Sequence, residues 1–424
     1  MTTSTRRNGH VTWAAIGAAR YQRTSRVPGN TWGLDSWSLE YPSPFPGYRS
    51  PNVRSRTAQR VLDIRAGGAG RFVARPLVWH GLIRFSSDRI HKAAVEVLAR
   101  GFHFSPYDQD ETASSGDLHH SRSFQSAGGK DRVEGRLGFR RPLTDREREL
   151  LKDQRSQLIK LQFALWARAF AETDGDPSRP AVVTLSQLCE DLGYRRLQNG
   201  AHRPEHKRQV AEWVELLTSV WMNGTYRAPD GRQSHLAGPL WRRFLDWEGE
   251  RSIAFAPGSW YADPVWRQHN QRVGLIGAGL LSLRPDRDRW AISIGAYLAS
   301  LARMNGYRPL TLRVTTLIER TGLQDAEQRN PSRMREMLER ALEQLETSGV
   351  IGEWDWFHTD PTEPDMDAPA DLLRLAADGA HWTERSLVIQ WPVRLRDREV
   401  ALRSSREAQT SVRRATRTRA VPKR

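Results

Sequence analysis

Two clusters of basic side chains have the type and spacing to contact a polyanion: Arg195, Arg196, Arg203, Lys207 and Arg208 in the first, and Arg329, Arg333, Arg335 and Arg340 in the second. A guanidinium is a planar fork of donors that matches two phosphate oxygens or the O6 and N7 edge of guanine. Arginines at the start of a helix therefore supply both backbone grip and base readout. The turn YRRLQNGAHRPEHKRQ holds five Lys or Arg against one Glu, and turns of this kind grip phosphates. The alternative for any one residue is a solvated charged face laced with Glu–Arg pairs, for which Glu205, Glu212 and Glu336 are the acids at hand.

Catalytic chemistry finds no comparable set. No GxxxxGK[ST] run is present, and the glycine-rich stretches Gly67 to Phe72 and Gly274 to Gly279 lack the lysine and the register of a phosphate loop. A metal-dependent nicking site needs two His on one strand face beside a nucleophilic Tyr. His119 and His120 are adjacent and alternate sides, while His103 stands alone between Phe102 and Phe104. Asp360, Glu363, Asp365 and Asp367 have a spacing, broken by prolines, that fits no compact calcium loop. The single cysteine, Cys189, excludes a disulfide framework and a Cys-based zinc site. The expectation is no enzyme activity, no catalytic residue, no cofactor and no metal. The tryptophans sit mostly on apolar stripes, as Trp166, Trp213 and Trp290 do, which favours packing over base stacking.

The elements that must position the basic clusters form a unit that occurs twice. TLSQLCEDLGY followed by HKRQVAEWVELLTSV aligns with RVTTLIERTGL followed by SRMREMLERALEQLETSGVI, pairing Leu188 with Leu317, Glu190 with Glu319, Gly193 with Gly322 and Val214 with Leu342. A longer helix precedes each. TDREREL opens the first with Thr144 and Glu147 as a capping box, after which Ile159, Phe163, Trp166 and Phe170 share a stripe; Ile294, Tyr297, Leu298 and Leu301 share a face in the second. Thr184 with Gln187 repeats the capping signal, Gly193 and Gly322 stop the short helices, and the third helices begin at Pro204 and after Pro331. Their buried stripes are Val210, Trp213, Val214 and Leu217 in one copy, and Leu338, Ala341, Leu342 and Leu345 in the other. LWRRFLDWEGERSIAFAPGSWY, then VIGEWDW with SLVIQWP, read as hairpin strands. Three helices and a two-stranded wing, twice over, make tandem winged-helix domains, each offering its third helix to a major groove.

Charge is distributed unevenly around this core. Of the formal net charge of +16, residues 1–140 hold 21 basic and 11 acidic groups, and the tail from Leu402 to Arg424 holds 8 basic and 1 acidic. Glu353 to Glu384 carries 9 acids and one base, Arg374, so the rest of the repeat region is moderately basic. No signal peptide and no long apolar run is visible, which suits a soluble cytoplasmic protein. The fold expected is α+β, with winged-helix domains at 141–273 and 274–401 and the acidic insertion 353–384 inside the second. Residues 1–140 are expected to be a basic, partly disordered region and 402–424 a flexible basic tail. Within 1–140, RIHKAAVEVLARGF reads as a short amphipathic helix stopped by Gly101, and Ser105 to Lys130 as a loop or linker.

RWAISIGAYLASLARMNGYRPLTLRVTTLIERTGL with SRMREMLERALEQLETSGVIGEWDW resembles the replication initiator proteins of bacterial theta-replicating plasmids, which pair two winged-helix domains. The likeness covers roughly Pro142 to Pro392. It implies binding of double-stranded DNA at directly repeated plasmid-origin sites, opening of nearby AT-rich DNA and recruitment of a host helicase or initiator protein. It also implies a homodimer that represses its own promoter; the lack of a long apolar run predicts no membrane partner. Without an ATPase, opening draws on binding energy, by bending the duplex or holding a displaced strand. The alternatives are a two-module transcriptional regulator, which binds similarly without melting DNA, and a rolling-circle nicking enzyme, for which no site is legible.

Overall fold

The computed structural model describes residues 20–23, 37–40, 81–102, 118–128, 131–246, 252–270, 273–324, 331–357 and 382–398. The chain divides into two compact units, Met1–Phe72 and Val73–Arg424. In the first unit β1 (Arg20–Arg23) and β2 (Trp37–Glu40) pair antiparallel.

The second unit is a mixed α+β fold. It opens with β3 (Leu82–Ser86), α1 (Arg89–Arg100), β4 (His119–Gly128) and β5 (Asp131–Phe139). The first copy of the repeat follows: α2 (Asp145–Asp153), α3 (Arg155–Glu172), β6 (Ala181–Thr184), α4 (Leu185–Asp191) and α5 (Pro204–Ser219). After α5 come β7 (Val220–Arg227) and β8 (Gln233–Pro239), then the wing strands β9 (Trp241–Asp246) and β10 (Ser252–Pro257). A connector of α6 (Pro264–Asn270), β11 (Val273–Gly277) and α7 (Gly279–Ser282) leads to the second copy. That copy is α8 (Arg289–Met304), β12 (Leu310–Arg313), α9 (Val314–Thr321), α10 (Pro331–Thr347), β13 (Trp354–Trp356) and β14 (Ser386–Ile389).

Strand order defines the fold of both copies. Apart from the β7–β8 hairpin, which belongs to another sheet, each runs helix, strand, helix, helix, strand, strand, and in each the last strand lies between the other two: β6-β10-β9 and β12-β14-β13. That is the winged-helix topology. The capping boxes at Thr144 and Thr184 form as the sequence requires, and Gly193 and Gly322 both close the second helix with positive φ, +85° and +73°. Gly322 is needed for space as well, since a Cβ there would meet the Ala99 carbonyl oxygen at 2.3 Å. The expected stripes are buried: Ile159, Phe163, Trp166 and Phe170 on α3, Val210, Trp213, Val214 and Leu217 on α5, and Leu338, Ala341, Leu342 and Leu345 on α10. The first long helix differs from its expectation by a joint at Gln154, which separates α2 from α3.

Two features lay beyond the sequence reading. The β7–β8 hairpin is inserted between the third helix and the wing of the first copy, where it joins β4 and β5 in a four-stranded antiparallel sheet ordered β4-β5-β7-β8. Residues 119–128, expected within a loop, are thus a strand; the inward positions Phe124 and Ser126 alternate one aromatic with one small polar residue, which hides the period of two. The second feature is β3, which pairs with β11 through Leu82↔Gly277 and Val273↔Ser86. Residues on both sides of the boundary expected at 140 therefore share sheets, and α1 packs on α3, α8 and α9.

The core where α1 meets α3 contains polar groups. His91 is fully buried, with its ring centroid 4.9 Å from Phe163 and 6.2 Å from Trp166, and burial pulls its pKa down to about 3. Asp88 caps α1, accepting from the His91 N–H at 2.7 Å and from the Ser86 hydroxyl, yet burial pushes its carboxyl up to about 6. The unfolded chain protonates His91 below 6.5 and the folded chain does not, so this group costs stability as pH falls from about 6.5 toward 3. Asp88 acts oppositely: between its ordinary 3.8 and about 6 the folded state holds the extra proton, and stability rises as pH falls. The two slopes oppose one another between pH 6 and 4. Asp88→Asn is expected to remove one and unmask the other, losing about 1.4 kcal/mol per pH unit relative to the parent on acidification through this window. Urea melts at the two ends of the window check it; parallel pH profiles for parent and variant would contradict the buried-proton account.

Candidate nucleic-acid interface

Both third helices present arginines opposite their buried stripe. On α5, Pro204 occupies the first turn, Arg203 and Arg208 are exposed, and Lys207 is half-buried at the edge. The preceding turn is built rather than loose. The Leu197 N–H donates to the Ala201 carbonyl at 2.7 Å, Arg196 bridges Glu190 at 2.6 Å and donates to the Gly200 carbonyl at 3.1 Å, and the Tyr194 ring lies 4.4 Å from that of His206. Arg195 stands exposed in the same turn. Glu212, a candidate acceptor from cytosine, lies 3.7 Å from Arg146 of α2, a surface pair.

The turn is held from below by buried cations. The Arg168 guanidinium on α3 meets Asp191, the last residue of α4, through Nε at 2.7 Å and Nη2 at 2.6 Å, with Glu172 at 3.5 Å. Lys160 of α3 is also buried, and its Nζ donates to the Leu192 and Leu283 carbonyls, both at 2.8 Å. Burial lowers this ammonium to about 8. Cations at a helix C-terminus satisfy carbonyls that have no partner within the helix and complement its dipole. They fix the end of α4, from which the basic turn departs.

On α10 the named residues separate. Arg333 is exposed and has no ion-pair partner among the described residues. Arg340 pairs with Glu336 at 3.0 Å with both side chains more than two-thirds exposed, a contact worth no more than about 1 kcal/mol and open to exchange for a phosphate. Arg335 pairs with Glu339 at 2.9 Å and lies 5.2 Å over the ring of Trp356, whose Nε1 also donates to Glu339 at 3.2 Å. That triangle ties the third helix to wing strand β13. Arg329, and residues 358–381 of the acidic insertion, lie outside the described residues.

The sequence reading missed cations on the four-stranded sheet. Arg132 and Arg136 on β5 and Arg227 on β7 are exposed on its outer face. The signal was present in DRVEGRLGF, where Arg132, Glu134 and Arg136 alternate with inward Val133 and Leu137. Among the described residues no group of three or more His, Cys, Asp or Glu is placed to hold a metal ion, and no helix is long and apolar enough to cross a membrane.

No protein-family model matches the chain, and no curated protein matches it. Among solved structures, a crystal structure of domains 2 and 3 of RctB is similar at a TM-score of 0.35 and 6% identity, covering 73% of this chain and 99% of that one. A selenomethionine structure of the same two domains gives a TM-score of 0.33 at 9% identity over 60% of this chain and 85% of that one. Both scores are too low to carry an argument; the winged-helix assignment rests on the strand order of this chain.

Proposed function

We propose that the chain is a non-enzymatic, sequence-specific DNA-binding protein of the replication-initiator class, working in the cytoplasm on directly repeated sites in a plasmid-type origin. The observation that carries the reading is the doubled winged-helix topology, in which both third helices keep arginines free of buried partners. Two modules in one chain convert two weak contacts into one strong one through effective concentration. The resemblance to theta-type initiators supports the initiator role over that of a regulator, with a host helicase or initiator protein as further partner and a homodimer as the repressing form.

Arg208→Ala and Arg333→Ala are each expected to cost about 1 to 3 kcal/mol of binding and to relax preference at one base position. Arg335→Ala is expected to loosen the wing instead, changing affinity for all sequences alike. Binding selections against a randomised duplex, followed by titrations, read these outcomes. Unchanged preference in the Arg208/Arg333 double variant moves the recognition surface elsewhere. Maintenance of an origin plasmid in cells separates initiator from regulator.

A further inference from the structure

The outer face of the β4-β5-β7-β8 sheet carries an ordered array of donors. Register sets Arg132 directly opposite Arg227, and Arg136 opposite Asn223. Like charges about 5 Å apart on neighbouring strands weaken a sheet, so this pair is a cost to the fold. Both guanidiniums are nonetheless held in place by neutral amides. With the amides oriented to satisfy both groups, the Gln125 oxygen accepts from Arg132 Nη2 at 2.6 Å and Nε at 3.0 Å, and the Gln233 oxygen from Arg227 Nη2 at 2.8 Å and Nε at 3.1 Å. The acid on this face is Glu134, which bridges Arg132 at 2.6 Å with both side chains half-exposed. Arg136, about 14 Å along β5 from Arg132, has no ion-pair partner among the described residues.

A merely solvated face would pair its cations with carboxylates. Here the carboxylate of Glu134 meets Arg132 alone, while Arg227 is oriented by a neutral amide that leaves its charge unneutralised and Arg136 has no ion-pair partner among the described residues. Among the described residues the face has no helix to enter a groove, and its tryptophan, Trp221, is 8% exposed and covered by the Arg140 guanidinium at 3.5 Å. The chemistry it fits is therefore the phosphodiester backbone, without base readout.

We propose that Arg132, Arg136 and Arg227 form a sequence-independent clamp for DNA backbone, separate from the recognition helices. β7 begins where α5 ends, so the 16-residue helix sets the start of β7 about 24 Å from the basic start of α5, and the clamp lies further along the strand, at Arg227 and opposite Asn223. It grips DNA flanking the recognised site and lengthens the footprint. This inference rests on the DNA-binding reading above.

The test is the full chain carrying R132Q, R136Q and R227Q, exposed positions at which loss of opposed like charges leaves the fold intact by thermal melt. Probes are a long random-sequence duplex, the recognised duplex with long and with trimmed flanks, and an oligo-dT strand. The slope of log affinity against log salt is expected to fall by about 2 to 3 on a probe the clamp grips, with sequence preference unchanged. Loss on the long duplexes assigns the clamp to duplex flanks, and loss on oligo-dT to a single strand. Equal affinity and slope for parent and variant on every probe, where the parent binds its site, overturns the clamp alone. A parent that binds no DNA overturns the reading on which it rests.

Discussion

A chain cut to residues 141–401, the span of the two repeats, is expected to be unfolded or aggregated, while residues 73–401 fold cooperatively. The shorter piece removes β3, α1, β4 and β5, and with them Ile83, Phe85, Ile90, Val95, Val97, Leu98, Phe102, Phe124, Val133, Leu137 and Phe139, each no more than 8% exposed. At about 1.5 to 3 kcal/mol for each large apolar side chain buried, that set contributes on the order of 15 to 30 kcal/mol, against a typical net stability of about 5 to 15. The cut also bares the edges of β7 and β11, whose partners are β5 and β3, and leaves α3 and α8 without the helix that covers them. Unpaired strands beside exposed apolar surface associate. Circular dichroism melts and size-exclusion chromatography on both fragments decide the matter. A sharp, reversible transition in the 141–401 piece would show that the preceding strands and helix are ornament.

That prediction marks where the sequence stops being legible. The helices of both repeats announce themselves because their signals are local: a capping box spans four residues, a buried stripe repeats every three or four, and Gly193 and Gly322 sit where a left-handed residue must end the helix. The strands that bind residues 82–139 to the repeats do not. Leu82 finds Gly277, and Phe139 finds Val220, across long stretches of chain. No local pattern encodes such a partner. β3 and β11 are five residues each, and β11 is VGLIG, glycine-rich and without alternation. Pairing at that separation is decided by the whole core, to which His91, Trp166 and Trp241 contribute from three different elements.

The candidate interface was legible in the same uneven way. Helical angle correctly sets Arg208, Arg333 and Arg340 away from the core. It does not show that Arg335 is engaged with Trp356, because that ring arrives from a wing strand after the helix has ended. Nor does it reveal the sheet arginines. Arg132 and Arg227 come from segments nearly a hundred residues apart, and their juxtaposition exists only once β5 and β7 are in register.

Arg168→Met is expected to destabilise the second unit by about 3 to 5 kcal/mol, because it removes the guanidinium that bridges the buried Asp191 carboxylate and lies against Glu172. The three side chains are 3 to 6% exposed, too dry for solvent to replace the guanidinium. Burial already holds the Asp191 carboxyl above its ordinary value despite the bidentate bridge. The variant therefore shifts toward a protonated Asp191, and part of the loss is recovered at low pH. Replacing all three charges with apolar residues of similar size, R168M with E172L and D191L, is expected to return stability to near the parent value, since desolvation then no longer has to be offset by pairing. The functional consequence follows from position. Asp191 ends α4, and the basic turn that leaves it carries Arg195 and Arg196 four and five residues further on. In the single variant DNA affinity is expected to fall more than the folded fraction accounts for, because the end of α4 is free to fray; in the triple variant stability recovers and the same affinity defect shrinks with it. Denaturant titrations paired with binding isotherms at matched folded fraction separate the two effects. A single variant within about 1 kcal/mol of the parent would mean that the bridge is solvated in solution and that the turn is positioned by Lys160 and the Tyr194–His206 contact alone.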